Sequence, residues 1–277
     1  MNRIIKTGIF SLLVGVSTIS CSDDFVERQF FQEVEQAPLT STQEMQSFVR
    51  GIYASMRNTT YYGADFLAYA EVRSDEMYST LQGGYYTNVY NYSQLSNDTY
   101  AVNTYNRIYE VVGKANIVIN TDLNSIGGTS ADKATATFAQ GQAYGLRAIA
   151  FFDAFRLYGQ KYIPNGTLGI VMPLKYDPKA LIARSTIVET ETQIDKDFTK
   201  ALELMTAGTS YFGASVKTEL SVNALKGLMS RFYLYKGDYA KVRSLTNDIV
   251  AAASATNSTF GVVAPGLFQT SFQFIMN

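Results

Sequence analysis

Apolar side chains recur at helical spacing along most of this chain. Three stretches each carry one apolar stripe: residues 41–56, 98–119 and 186–205. Ser41 precedes Glu44 by three residues and Thr186 likewise precedes Glu189, which is the capping-box pattern of a helix N-terminus. The pattern predicts helices that begin at these two positions.

A longer helix is predicted from residue 131 to 158. Within it, the apolar residues of the segment 143–159 lie on every side of the helix, which is typical of a helix buried in a large protein or in a membrane. Arg147, Asp153 and Arg156 interrupt the apolar run well before the roughly 18 residues needed to span a bilayer. Burial by other helices is therefore the favoured interpretation.

Two further stripes, joined by Lys236-Gly237-Asp238, predict a helical hairpin over residues 225–249. The short turn and the small residue Ala240 resemble a tetratricopeptide unit. A regular repeat of about 34 residues is not found, because the helix pairs are unevenly spaced. The predicted fold class is all-α, with stacked helical hairpins of tetratricopeptide (TPR) type and long irregular loops.

Two long segments between the predicted helices lack a helical period. Residues 58–98 are rich in tyrosine, glycine and amide side chains, apart from a short helical patch at 66–72. Loops of this length are usually functional or disordered, and the aromatic content argues against disorder. Residues 159–184 contain three of the five prolines and are expected to form an ordered surface loop.

The N-terminus has the pattern of a secretory signal. Arg3 and Lys6 precede an apolar run, and small residues follow as far as Cys21. A membrane-anchor helix is the weaker alternative, because the run is short. Cys21 stands where a lipoprotein signal is cleaved, so we expect it to be lipidated rather than incidental, and two or more acyl chains anchor a protein stably. The expected organisation is a signal peptide (1–20), a tether (21–40) and a helical domain (41–277).

Composition limits the chemistry that the chain can support. The 277 residues have a formal net charge of -1 and 17% charged residues, so the basic stripe that nucleic acid binding needs is missing. Histidine is absent and there is one cysteine, which removes the commonest metal ligand and general base. We expect no metal, no cofactor and no nucleic acid partner.

Tyrosine is unusually abundant, with 20 in the chain, and many lie in residues 58–98. Apolar faces of sugar rings pack on aromatic rings, while amides and carboxylates bind sugar hydroxyls. The predicted ligand-binding residues are Tyr61, Tyr62, Asp75, Gln82, Tyr85, Tyr86, Asn88, Tyr90 and Tyr92. For any one tyrosine, packing of the loop onto the helices is an equal alternative.

Several charged residues have a structural or a catalytic interpretation. Arg147 is expected to be a buried guanidinium bound by a carboxylate or by loop carbonyls, with an anionic ligand as the less favoured alternative. Asp195 and Asp197 are expected on a solvated surface. Paired carboxylates could hydrolyse glycosides. The nearest candidates are Glu71, Asp75 and Glu76, whose spacing is ordinary for an exposed helix, so an enzyme is not expected.

Four stretches together resemble the SusD/RagB family of nutrient-binding lipoproteins from Bacteroidetes. They are the Cys-Ser-Asp-Asp start at Cys21, residues 109–119 with Ala115-Asn116, residues 147–164, and residues 184–239 with Gly237-Asp238-Tyr239. The resemblance implies a surface lipoprotein of the outer membrane that passes glycans to a SusC-like TonB-dependent transporter. Members are usually far longer, so it also implies a chain truncated at the C-terminus that lacks much of the binding face.

Two alternatives remain open. The chain could be a TPR-like scaffold or accessory lipoprotein that docks onto the transporter without binding a glycan. It could also bind another nutrient, such as a peptide.

Overall fold

The computed structural model describes residues 38–80, 82–211, 218–255, 261 and 266. The predicted signal peptide, the lipidation site Cys21 and the tether as far as residue 37 lie outside the described residues. The domain prediction for residues 1–40 therefore stays a prediction.

Helices dominate the described residues. The α-helices are α1 (Thr42–Met56), α2 (Asp65–Glu71), α3 (Thr87–Tyr90), α4 (Thr99–Ile119), α5 (Ser130–Tyr158), α6 (Ile187–Ala207), α7 (Val222–Lys236) and α8 (Tyr239–Ala253). A π-helical turn covers Thr59–Gly63 and a short 3-10 helix covers Leu123–Ser125. The all-α prediction is confirmed, and the likeness to tetratricopeptide repeats remains a prediction.

The predicted capping boxes fix where two helices begin. Ser41 and Glu44 exchange hydrogen bonds at the start of α1, and Thr186 and Glu189 do so at the start of α6. These bonds satisfy backbone N–H groups that have no partner in the first turn of a helix. A third capping box at Thr129, before α5, was not predicted from the sequence.

Helix α5 lies in the middle of the helical layers. It packs against α4 on one side and α6 on the other, and α1 packs against both α4 and α5. Every residue from Phe138 to Phe155 except Tyr144 is buried. The all-round apolar pattern of this segment therefore reflects burial by neighbouring helices, as expected. None of the helices in the described ranges combines the length and the apolar character that a membrane span requires.

The helices alternate in direction, so their ends gather at two places. At one end, Tyr158 at the end of α5 donates a hydrogen bond to the carbonyl of Ala101 at the start of α4 (2.8 Å). At the other end, the Gly127 amide before α5 donates to the carbonyl of Thr40 before α1 (3.0 Å). The first of these is called the tyrosine-rich end, because the segment between α1 and α4 lies there.

The proline-rich segment 159–184 is not wholly irregular. It contains strand β1 (Leu168–Val171), which pairs antiparallel with β2 (Arg184–Thr186) just before α6. The Tyr109 hydroxyl of α4 donates to the carbonyl of Val171 (2.7 Å) and holds β1 against the helices. Strands of four and three residues are too short for an alternating pattern, so the sequence did not reveal them.

Close contact between α5 and α6 depends on Gly141. A Cβ atom there would lie 2.7 Å from Cγ of Met205 and 2.9 Å from its backbone nitrogen. We expect Gly141→Ala to lower the free energy of unfolding by about 1–3 kcal/mol, because the helices must move apart. Chemical denaturation followed by circular dichroism measures this change.

Gly227 in α7 is the matched control. A Cβ atom at this position would meet no neighbour within 4 Å, so Gly227→Ala should raise stability by about 0.5–1 kcal/mol through helix propensity alone. If both variants gain stability, tight packing at Gly141 is contradicted.

Candidate functional site

Four exposed tyrosine rings lie within a short segment between α2 and α4, at the tyrosine-rich end. Tyr78 is 73% exposed, Tyr85 71%, Tyr92 70% and Tyr90 43%. We call these four residues the tyrosine shelf. The Ser79 hydroxyl donates to the carbonyl of Tyr85, which brings the segment after α2 beside the segment before α3. Exposed aromatic rings that are grouped in one segment, rather than scattered singly, indicate a contact surface.

Two tyrosines fix the backbone of the shelf. Tyr86 and Tyr92 flank α3 with φ angles of 56° and 52°, a left-handed conformation that is uncommon for bulky residues. The Tyr86 hydroxyl donates to Oδ1 of Asp65 (2.7 Å), and its ring stacks on Tyr100 with centroids 4.3 Å apart. The Tyr92 hydroxyl donates to the carbonyl of Arg73 (2.6 Å). Backbone strain of this kind persists where the surrounding contacts enforce it, and it is enriched at functional sites.

Polar residues of the predicted site lie on the same segment. Asp75, Gln82 and Asn88 are all exposed, so their carboxylate and amide groups are accessible to solvent on the segment that carries the rings. The structure therefore places six of the nine predicted residues at the surface, namely Asp75, Gln82, Tyr85, Asn88, Tyr90 and Tyr92. Tyr86 is half-buried and supports them.

The remaining two predicted tyrosines contact α5 and are not part of the shelf. Tyr61 is completely buried, and its hydroxyl donates to Oδ2 of Asp153 (2.6 Å). Tyr62 donates to the same oxygen (2.7 Å), and Arg156 donates to Oδ1 (2.7 Å). The two tyrosine rings also pack against each other and against Phe66. In this arrangement Tyr61 packs the loop onto α5 and is out of reach of a ligand.

Burial dominates the electrostatics of this cluster. It raises the pKa of the Asp153 carboxyl, and Arg156 and the two tyrosine hydroxyls oppose that rise. Burial also raises the pKa of Tyr61 well above its usual value, with the nearby Asp153 charge adding to the effect. Burial also raises the pKa of Tyr62, so both tyrosines stay protonated and donate hydrogen bonds to the side chain of Asp153.

Arg147 is bound inside the helical layers, as its structural interpretation predicted. Its Nε donates to Oδ2 of Asp197 (2.8 Å) and its Nη2 to Oδ1 (2.7 Å), a bidentate pair. Asp197 is 1% exposed, so the prediction of a solvated surface position was wrong for this residue. Packing of α6 on α5 places the Asp197 carboxylate against Arg147. Asp195 is partly exposed and accepts a hydrogen bond from Tyr233.

Asn116 of α4 links this pair to the loop after β1, a role that sequence reasoning missed. Its Oδ1 accepts a hydrogen bond from Nη1 of Arg147 (2.8 Å), and its Nδ2 donates to the carbonyl of Pro173 (2.9 Å). Asn120, one turn later, donates to the carbonyl of Leu174 (3.0 Å). The recurrence of asparagine at i and i+4 was the available signal, because such residues share one helix face.

Comparison with known proteins identifies the family. Residues 29–234 match a SusD-like family described as starch-binding and associating with the outer membrane. The chain belongs to this SusD-like family. A comparison with curated protein sequences gives no match.

Solved structures share the SusD-like fold. A SusD superfamily protein from Bacteroides vulgatus is 20% identical with a TM-score of 0.74, and the match covers 84% of this chain and 52% of that one. A putative sugar-binding protein from the same species is 22% identical (TM-score 0.69, 78% and 47% covered). A laminarin-binding SusD-like protein is 15% identical (TM-score 0.59, 81% and 47% covered). This SusD-like chain thus spans about half the length of these relatives.

The carboxylates considered as catalytic candidates lie at the surface of this SusD-like chain. Glu71, Asp75 and Glu76 are exposed around the turn that follows α2. In the described part of the chain, no three histidine, cysteine, aspartate or glutamate side chains come together as a metal site would require. The tyrosine shelf is the surface on which the predicted binding residues are exposed.

Proposed function

We propose that this chain captures glycans at the cell surface, without hydrolysing them, and passes them to a SusC-like TonB-dependent transporter in the outer membrane. Membership of the SusD-like family supports a sugar-binding role. The observation that carries the glycan part of the proposal is the tyrosine shelf, whose exposed rings stand on a backbone held in place by side-chain hydrogen bonds and by the stacking of Tyr86 on Tyr100.

The chemistry of the shelf suits a sugar. An exposed tyrosine ring offers a flat apolar surface for the C–H face of a sugar ring, and its hydroxyl can still bind water or ligand. Sugar hydroxyls need polar partners, which Asp75, Gln82 and Asn88 supply beside the rings. The proposed contact residues are therefore Tyr78, Tyr85, Tyr90 and Tyr92 with these three polar residues. Tyr61, Tyr62 and Tyr86 take the supporting role.

Removing single rings from the shelf tests this function. We expect Tyr78→Ala and Tyr85→Ala each to weaken glycan binding about tenfold, roughly 1.4 kcal/mol, because each loses a stacking surface. Calorimetry or affinity electrophoresis against soluble starch, laminarin and xylan measures the change. Both residues are exposed, so their truncation should leave the stability of the protein almost unchanged.

Tyr239→Ala is the matched control for the shelf variants. Tyr239 is 68% exposed but lies at the start of α8, outside the shelf, so its loss should not change glycan binding. Equal affinities for all three variants and the unmodified protein would contradict a binding role for the shelf. Binding to no polysaccharide by the folded protein would contradict glycan capture itself.

Attachment to the outer membrane is proposed to depend on Cys21. We expect Cys21→Ala to prevent acylation and to move the protein from the membrane fraction to the soluble fraction, because the lipid chains supply the anchor. Fractionation of cells with metabolic labelling by a fatty acid measures both effects. Cys21→Ser, which also lacks the thiol, should behave in the same way, and membrane attachment that survives in both variants would contradict a lipid anchor.

A further inference from the structure

The segment that carries the tyrosine shelf has a net negative charge. The segment between α1 and α4, residues 57–98, contains five acidic and two basic residues, a formal charge of -3 against -1 for the whole chain. The seven charged residues are Arg57, Asp65, Glu71, Arg73, Asp75, Glu76 and Asp98. Negative charge is therefore concentrated in the segment that builds the shelf.

Three of these carboxylates are exposed next to the rings. Glu71, Asp75 and Glu76 lie around the turn that follows α2, and all three are exposed. The hydroxyl of Tyr92, a shelf residue, donates to the carbonyl of Arg73 within that turn (2.6 Å). This bond holds the acidic turn against the shelf, so a ligand on the rings would lie close to its carboxylates.

The basic residues of the segment offset this charge only in part. The Arg73 guanidinium lies over the ring of Tyr69, 5.4 Å from its centroid, and keeps its positive charge, so Glu71, Arg73, Asp75 and Glu76 together carry a formal charge of -2 (three acidic residues and one basic residue). Arg57 lies at the far boundary of the segment, directly after α1. The other two acidic residues serve the fold, because Asp65 accepts from Tyr86 and Asp98 caps the start of α4.

We propose that the tyrosine shelf selects neutral glycans and disfavours sulfated or uronate-bearing ones. This inference rests on the proposed function and adds a ligand class to it. A sulfated or uronate-bearing ligand would bring negative charges beside Glu71, Asp75 and Glu76. These carboxylates repel such a ligand over about 10 Å at moderate ionic strength. Specificity then arises from repulsion of the wrong ligand as well as from stacking of the right one.

The test compares neutral polysaccharides with their own sulfated derivatives. Calorimetry measures the binding of the full chain to soluble starch, laminarin, dextran and xylan. The same measurement is made with each polymer after chemical sulfation. For every neutral glycan that binds, we expect the sulfated form to bind at least about tenfold more weakly at low salt. The difference should shrink as the salt concentration is raised, because exposed charges are screened.

A charge-neutralising variant separates repulsion from poor fit. Glu71→Gln combined with Glu76→Gln leaves the proposed sugar partner Asp75 in place and removes two exposed charges. The variant should lower the ratio of the affinity for the neutral glycan to the affinity for its sulfated form by about threefold or more at low salt. Glu203→Gln is the control, because this exposed residue pairs with Lys200 near the end of α6, away from the shelf, and should leave the ratio unchanged.

The outcomes distinguish the two proposals. If sulfated forms bind as tightly as neutral ones, or if the double variant leaves the ratio unchanged, charge selection is wrong while glycan capture stands. If the folded protein binds neither set, nor polygalacturonate or chondroitin sulfate, glycan capture is wrong and the selectivity falls with it.

Discussion

Replacing Asp197 by alanine is expected to lower the free energy of unfolding by about 3–5 kcal/mol. The Arg147 guanidinium would stay buried between α5 and α6 and lose both hydrogen bonds of its bidentate pair. Its bond to Asn116 and a long contact to a loop carbonyl would remain, and neither partner carries a compensating charge. Urea denaturation followed by circular dichroism measures the loss.

A double variant shows whether the charge pair itself stabilises the fold. Arg147→Met combined with Asp197→Leu removes both charges and keeps apolar volume, so it should cost less than Asp197→Ala alone. The exposed pair of Lys200 and Glu203 on α6 is the control, and Lys200→Ala should change stability by about 0–1 kcal/mol. If Asp197→Ala lowers the free energy of unfolding no more than Lys200→Ala does, the inference that Asp197 is needed to stabilise the buried Arg147 is contradicted.

Arg147 also connects the helical layers to the loop after β1. Because Asn116 bonds to Arg147 and to the carbonyl of Pro173, disturbance of the ion pair should loosen that loop as well. Asn116→Ala leaves the ion pair intact and breaks only this link. Hydrogen exchange over residues 172–176 should therefore increase in Asn116→Ala with a smaller loss of global stability than in Asp197→Ala.

The helices were predictable because their signals are local. A stripe with a period of 3.6 residues, or a capping box such as Thr186 with Glu189, lies within a few residues of sequence. The burial of α5 was equally visible, since a helix that is apolar on all sides is stable only where other helices cover it. Strands β1 and β2 were not predicted, because their pairing joins short segments that lie more than ten residues apart.

The Asp197 error has an identifiable physical origin. Two nearby lysines suggested a solvated face, but Asp197 lies between Ile194 and Ala201 on the buried stripe of α6. A charged residue inside an apolar stripe indicates a buried partner, and Arg147 on the all-round apolar helix was the matching charge. Sequence position alone could not pair them, because they are fifty residues apart.

The sequence could not show which tyrosines of the candidate site are exposed and which are buried. Tyr61-Tyr62 and Tyr85-Tyr86 are similar pairs of aromatics beside glycine, yet Tyr61 is buried and Tyr85 is 71% exposed. In the first pair both hydroxyls donate to Asp153, so both rings turn toward α5. In the second pair Tyr86 donates to Asp65 and turns inward, while Tyr85 stays largely in solvent.

Asp153→Ala is expected to lower the free energy of unfolding by about 2–4 kcal/mol, because the variant leaves several donors without their acceptor. Tyr61 is completely buried, so its hydroxyl would lose its partner without gaining water. Tyr62 and Arg156 would lose the same carboxylate. Urea denaturation of the variant measures the cost, and near-ultraviolet circular dichroism reports on the packing of the tyrosine rings.

Graded replacements test whether hydrogen bonding is the cause. Tyr61→Phe removes one donor and keeps the ring, so it should cost about 1 kcal/mol. Asp153→Asn keeps one side-chain oxygen as an acceptor but loses the charge that Arg156 binds, so its cost should lie between those of Tyr61→Phe and Asp153→Ala. Asp248→Ala, which breaks an exposed pair with Lys226, should cost at most about 1 kcal/mol. If Asp153→Ala costs no more than Asp248→Ala, the shared carboxylate does not hold the support of the tyrosine shelf together.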